Sequence, residues 1–148
     1  MKRWTACLLL CLLLVGCSAD TAEPDPVQLG SDLLAAGGFP ESMVELDADM
    51  MEAVYRMDMG TVEDFFASVS GGATADEVLV LIAADEDAAG NLEELLADHV
   101  SYRLDSFSTY LPAEAEKLRH AILTREGRTV ILCVCGDYEA AQAVLDER

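Results

Sequence analysis

The chain has 148 residues, with 28 Asp or Glu against 9 Lys or Arg and a net charge of −19. Such acidity excludes nucleic-acid binding, which requires Lys and Arg against phosphate, and it opposes docking on an anionic membrane surface through charge. The length is that of one domain, and the 52% apolar content is enough for a core, which excludes wholesale disorder.

Met1-Lys2-Arg3 precede an apolar run from Ala6 to Val15. A spanning helix needs about 20 apolar residues; a run of about ten, behind a positive start, has the form of a signal-peptide core. It ends in Leu14-Val15-Gly16-Cys17, with Leu three positions before a cysteine and a small residue just ahead of it. That spelling predicts a lipoprotein signal. Residues 1–16 are removed, the Cys17 thiol takes palmitate-type chains, and the mature protein is held on the extracytoplasmic face of the cell membrane. Several acyl chains hold far better than one, because each buried methylene contributes about 0.8 kcal/mol. Residues 17–27 read as the lipidated cysteine and a flexible acidic tether with Pro24 and Pro26, and residues 28–148 as the domain.

Within the domain, Leu29, Leu33 and Leu34 share a face of a short helix over 27–36, ended by Gly37-Gly38. Residues 41–60 read as a loop leading to one or two helical turns. Val62 to Val69 favours a strand through Phe65, Phe66 and Val69, and Ser70 to Thr74 a turn. Glu77 to Ala83 is an almost unbroken aliphatic run, expected as a central strand buried on both faces. Asp85 to Tyr110 is the long helix, capped by Asp85 or Asp87, with Leu92, Leu95, Leu96, Val100, Phe107 and Tyr110 facing inward. Pro112 opens a second, short helix through Leu118. His120 to Thr124 and Thr129 to Val134 form a hairpin around Glu126-Gly127. Asp137 caps a last helix with Tyr138, Ala141, Val144 and Leu145 inward. The sum is an α+β fold: a single compact domain with about four mostly antiparallel strands, on which one long and several short helices are packed.

The chemistry legible in this pattern is sparse. Nucleophilic catalysis needs a base beside Ser or Cys, and the chain has only His99 and His120 and no Gly-x-Ser-x-Gly. His-Glu-x-x-His is absent, and Asp47-x-Asp49 lacks the rest of a calcium loop. No catalytic residue, metal site or cofactor is therefore predicted, and the acidic clusters read as helix caps and solvated surface. Cys7 and Cys11 leave with the signal. Cys133 and Cys135 lie two apart on a strand, about 6.6 Å between Cα atoms and at the upper edge of disulfide geometry, so they read as small buried side chains. His99 reads as a half-buried structural residue near Leu96 and Arg103. Arg103 lies near the apolar stripe of the long helix and needs a partner, for which Glu77 is a candidate. It is either a structural ion pair or an anchor for a carboxylate on a ligand or partner.

Several features recur in order: Ala53-Val54-Tyr55 ahead of Val62-Glu63-Asp64; Gly72 to Glu77 opening an apolar strand; Arg103, Phe107, Tyr110 and Pro112 closing the long helix; Gly127 leading into a Val/Ile strand. Across residues 44–145 this resembles an uncharacterised family of small bacterial lipoproteins, domain of unknown function 4358. The resemblance implies an extracytoplasmic lipoprotein with one compact domain, and no activity. The chain departs from the family pattern after Pro112, where it has Glu114-Ala115-Glu116 in place of a Gln, and Arg119-His120 in place of an Asn.

Two functions follow as expectations. One is a non-enzymatic binding or accessory module of the cell envelope, attached to the lipid bilayer through Cys17 and docking an envelope protein, with an apolar patch around Met43, Met50, Met51 and Met57. The other is a small ligand-binding or enzymatic domain with a pocket near Arg103, Tyr110 and His120. The contact residues expected on either reading are Arg103, Tyr110, Glu77 and His120.

Overall fold

Seven consecutive residues, Glu77–Ala83, are all buried, and the other elements are arranged to cover both faces of that strand. The computed structural model describes residues 23–40, 42–71 and 73–148; the signal segment, Cys17 and the first part of the expected tether lie outside the described residues. In chain order the elements are α1 (Pro26–Ala36), β1 (Met43–Glu45), α2 (Ala48–Tyr55), β2 (Val62–Ser70), β3 (Glu77–Ala83), α3 (Glu86–Tyr110), α4 (Pro112–Arg119), β4 (Ile122–Glu126), β5 (Thr129–Val134) and α5 (Tyr138–Asp146). The sheet runs β1-β2-β3-β5-β4, with every neighbouring pair antiparallel. Helices α3 and α4 carry the chain from β3 to the far edge, and the β4–β5 hairpin brings it back beside β3. That hairpin turns at Gly127, whose φ of +55° is the left-handed conformation a tight turn demands.

Side chains alternate along each strand. Leu79, Leu81, Val130 and Leu132 meet Met51, Leu92, Leu96 and Leu118 on one face. Val78, Val80, Ile131 and Cys133 meet Leu29, Leu33, Ala141 and Leu145 on the other. Coverage on both faces is why β3 and β5 read as continuous apolar runs although the sheet is antiparallel.

The α+β class and the strongly patterned elements stand as expected. The sheet has five strands, one more than the sequence shows, because β1 is three residues long and too short to display an alternation. The expected tether ends early. Helix α1 starts at Pro26, a position where proline is favoured, and Asp25 caps it by accepting from the Val27 and Gln28 amides at 2.9 and 3.1 Å. Glu23 is already held by Arg128, with 2.7 Å to Nε and 2.7 Å to Nη2. The methionine patch does not form: Met51 and Met57 are core residues, which leaves Met50 exposed. Tyr110 and Tyr138, expected inward, are exposed at 65% and 36%; each lies near a helix end, where the apolar stripe has run off the sheet.

Helix α1 crosses β2 at close range over Gly30. A Cβ there would lie 2.0 Å from Cδ1 of Phe66, which is itself buried. Alanine in a helix interior is worth about 1 kcal/mol over glycine, whereas overpacking a core costs about 1–3 kcal/mol. Gly30→Ala is expected to lower the unfolding free energy by about 1 kcal/mol despite the better helix former. A urea midpoint equal to or above that of the wild type would show that the Phe66 ring can swing aside.

Candidate functional site

Glu77 opens β3 opposite Val134 and is 1% exposed. It shares the strand face of Leu79 and Leu81, so its carboxylate is turned toward α2 and α3, into an otherwise apolar layer. A carboxylate there needs donors on both oxygens. Arg103 Nη1 donates to Oε1 at 2.8 Å, and the Tyr55 hydroxyl donates to Oε2 at 2.7 Å. His99 Nε2 lies 3.0 Å from the same Oε2. His99 and Arg103 are four residues apart on α3, one turn of the same face; Tyr55 comes from the last turn of α2. The Tyr55 and His99 rings meet at a tilt of 50°, with centroids 4.6 Å apart. Arg103 also donates to the carbonyls of Ala75 and Thr74, each at 3.2 Å, and lies over the Phe107 ring. It thereby ties α3 to the segment that enters β3.

The electrostatics fix the protonation states. Burial alone would raise the Glu77 pKa, but the hydrogen bond and charge of His99, the charge of Arg103 and the Tyr55 hydrogen bond together hold it below the usual carboxylate value. Burial, and then the negative charge of Glu77, push the Tyr55 phenol above the ordinary tyrosine range. Glu77 is therefore an ionised acceptor, and Tyr55 a protonated donor.

A second cluster stands beside the first. Asp76, also 1% exposed, accepts from Lys117 Nζ at 2.8 Å through Oδ2. Lys117 also pairs with Glu114 at 3.2 Å, and the same Glu114 oxygen accepts from the Ala75 amide at 2.7 Å. Burial would lower the Lys117 pKa, but the hydrogen bonds that its ammonium donates to Asp76 and Glu114 outweigh it and raise the value. Asp76 Oδ1 and Thr74 Oγ1 have no hydrogen-bond partner among the described residues. Segment 74–77 is thus bolted to both α3 and α4.

Of the residues expected to form a site, the fold brings together Arg103 and Glu77. Tyr110 ends α3, its ring 6.2 Å from that of Phe107 and away from the network. His120 follows α4, lies 3.1 Å from Glu116 and stacks at 4.2 Å on Tyr138, in a groove of its own with Gln142. Arg103 and His120 line separate clefts, and Tyr110 lines neither of the two. Cys133 and Cys135 are buried free thiols on the opposite sheet face, and the hydrogen bond that Cys133 donates to Cys135, together with burial, pushes the Cys133 thiol up. Asp47 and Asp85 cap α2 and α3 through the Met50 and Ala88 amides. Among the described residues no group of three or more His, Cys, Asp or Glu could hold a metal ion. Sequence reasoning did not place Tyr55, Asp76 and Lys117. Their one signal is the pair Asp76-Glu77 directly ahead of an apolar strand, two acids that must be neutralised if the strand is central.

Between α2 and α3 the network forms the floor of a cleft of about 820 Å³, into which Tyr55, His99 and Arg103 face. Every oxygen of Glu77 is spent on donors inside the protein, so the network acts as a charged lock that sets the width of this cleft.

Arg103→Ala would leave the buried Glu77 charge with only His99 and Tyr55, at a cost of about 2–4 kcal/mol. The measurement is the denaturation midpoint, and an unchanged midpoint would assign Arg103 to an external carboxylate instead. The pH dependence has a definite sign. A carboxyl held below its unfolded value of 4.5 contributes stability that is complete above that value and lost as pH falls through the folded one. The stability gap between wild type and Glu77→Gln is expected to narrow as pH drops below 4.5. A gap that stays flat to the acid limit in urea titrations would mean Glu77 is not ionised in the fold.

Comparison with curated proteins and with solved structures gives no match. A family profile described as Domain of unknown function (DUF4358) matches residues 35–135. That span holds all five strands and every residue of both charged clusters. The chain belongs to the DUF4358 family, a domain of unknown function.

Proposed function

We propose that this protein is a lipoprotein anchored at the extracytoplasmic face of the cell membrane through Cys17, and that its domain is a non-enzymatic binding or accessory module of the envelope. The observation that carries the reading is Leu14-Val15-Gly16-Cys17 at the end of an apolar run behind Lys2 and Arg3. Two further observations support it. Glu23, already fixed to the domain by Arg128, is only six positions beyond Cys17, so an acyl group on Cys17 would keep the domain within about 20 Å of the bilayer. The buried ionisable groups are paired with one another in a closed lock, which is the economy of a scaffold. An envelope protein is the partner class that fits a module in that position.

Growth with an alkyne-bearing palmitate analogue tests the anchor. The wild-type protein is expected to carry label in the membrane fraction, with mass spectrometry placing the lipid on an N-terminal Cys17. Cys17→Ala is expected to lose the label. Retained label in that variant, or a mature N-terminus elsewhere, would refute the anchor.

A further inference from the structure

Two features single out the rim of the α2–α3 cleft. The first is Arg56. It is the only non-glycine residue among those described with a positive φ, +55°, and it sits just past α2, at the position where glycine is the unstrained choice. It is also the one cation among the described residues without an ion pair; Arg103, Lys117, Arg119, Arg125, Arg128 and Arg148 all have one. Arg56 is exposed, so its guanidinium is offered to solvent at the rim of the cleft rather than spent inside the fold.

The second feature is on the α3 side. Glu94 and Asp98 line the same cleft one turn apart, and like charges at that spacing repel. Glu94, Asp98 and Arg56 are all exposed and neither acid pairs with Arg56, so the rim presents both signs of charge to solvent. Val54 and Tyr102 flank that gap with their side chains 52% and 74% exposed. The floor, Tyr55 and His99, is immobilised by the Glu77 lock, so the gap cannot close by collapse of its base.

We propose that this cleft binds a small zwitterion of the amino-acid type. Its carboxylate takes the forked donors of Arg56, which match that geometry. Its ammonium lies between Glu94 and Asp98, and its apolar part lies on Val54 and Tyr102. The cleft volume of about 820 Å³ falls in the range of small-molecule sites. The proposal rests on the binding-module reading and supplies its ligand class; it does not depend on the lipid.

The test is isothermal titration calorimetry of the full chain in detergent against each common free amino acid at millimolar concentration, with acetate and ethylamine as half-ligands. At least one amino acid is expected to bind saturably, and more tightly than either half-ligand. Arg56→Gly, which suits the left-handed backbone and so stays folded, is expected to weaken binding at least about tenfold. Glu94→Gln with Asp98→Asn is expected to do the same from the other wall. The proposal is overturned if no amino acid binds the wild type, if binding survives Arg56→Gly, or if acetate binds as tightly as any amino acid. Failure of the anchor would show only as unmodified Cys17 by mass spectrometry and would leave these titrations unchanged.

Discussion

The burial of the Glu77 carboxylate at the head of the central strand is the constraint from which the rest of this face follows. Stripped of water, an ionised carboxylate is several kcal/mol unfavourable unless charged or polar donors surround it. Here the donors come from α2 and α3, and Arg103 reaches on to the carbonyls of the segment entering β3. Three separately folded pieces of chain must therefore arrive together. A leucine at this position could fill the space, but it would accept any sliding of α3 along the sheet. The carboxylate accepts one register, because His99 and Arg103 reach it only as a one-turn pair.

The opposite end of β3 is tied by an arginine at the surface. There Arg128 donates to the carbonyls of Ala83 and Ala84 and pairs with Glu23 and Glu63. One guanidinium thus joins the exit of β3, the start of β2, the hairpin and the chain ahead of α1. Between the two charged ends the strand is purely apolar, so burial supplies the bulk of the stabilisation and the ends supply position. The face toward α1 and α5 has no such lock. It relies on close approach, as at Gly30 against Phe66, and on small buried groups such as Cys133 and Ala141.

How far the sequence revealed this follows from the length scale of each signal. Elements that repeat a pattern over many residues were legible: β3, β5 and α3 agree with their periodicity almost to the residue. Strand β1, with three residues, carries no period, and the first turn of α1 was masked by two prolines that read as tether. The Arg103–Glu77 pair was legible because an arginine beside an apolar stripe demands a carboxylate and few were available near a buried strand. Tyr55 and Lys117 were not, because nothing local to either reports a partner 22 or 41 positions away. Tyr110 was expected inward and is exposed for a simple reason. The spacing of a helix says which residues share a face, but not where the sheet beneath it ends.

The two locks also give the domain a direction. The seven residues from Glu77 to Ala83 span about 20 Å along the sheet. Glu23 is fastened at the Ala83 end, so whatever precedes it in the chain meets the domain there. Helix α3 starts at that end and runs for 25 residues toward the other, carrying His99 and Arg103 to Glu77 in its second half. A chain anchored at Cys17 would therefore hold its acidic base, with Glu63, Asp64 and Asp85, nearest the lipid, and its cleft farther out.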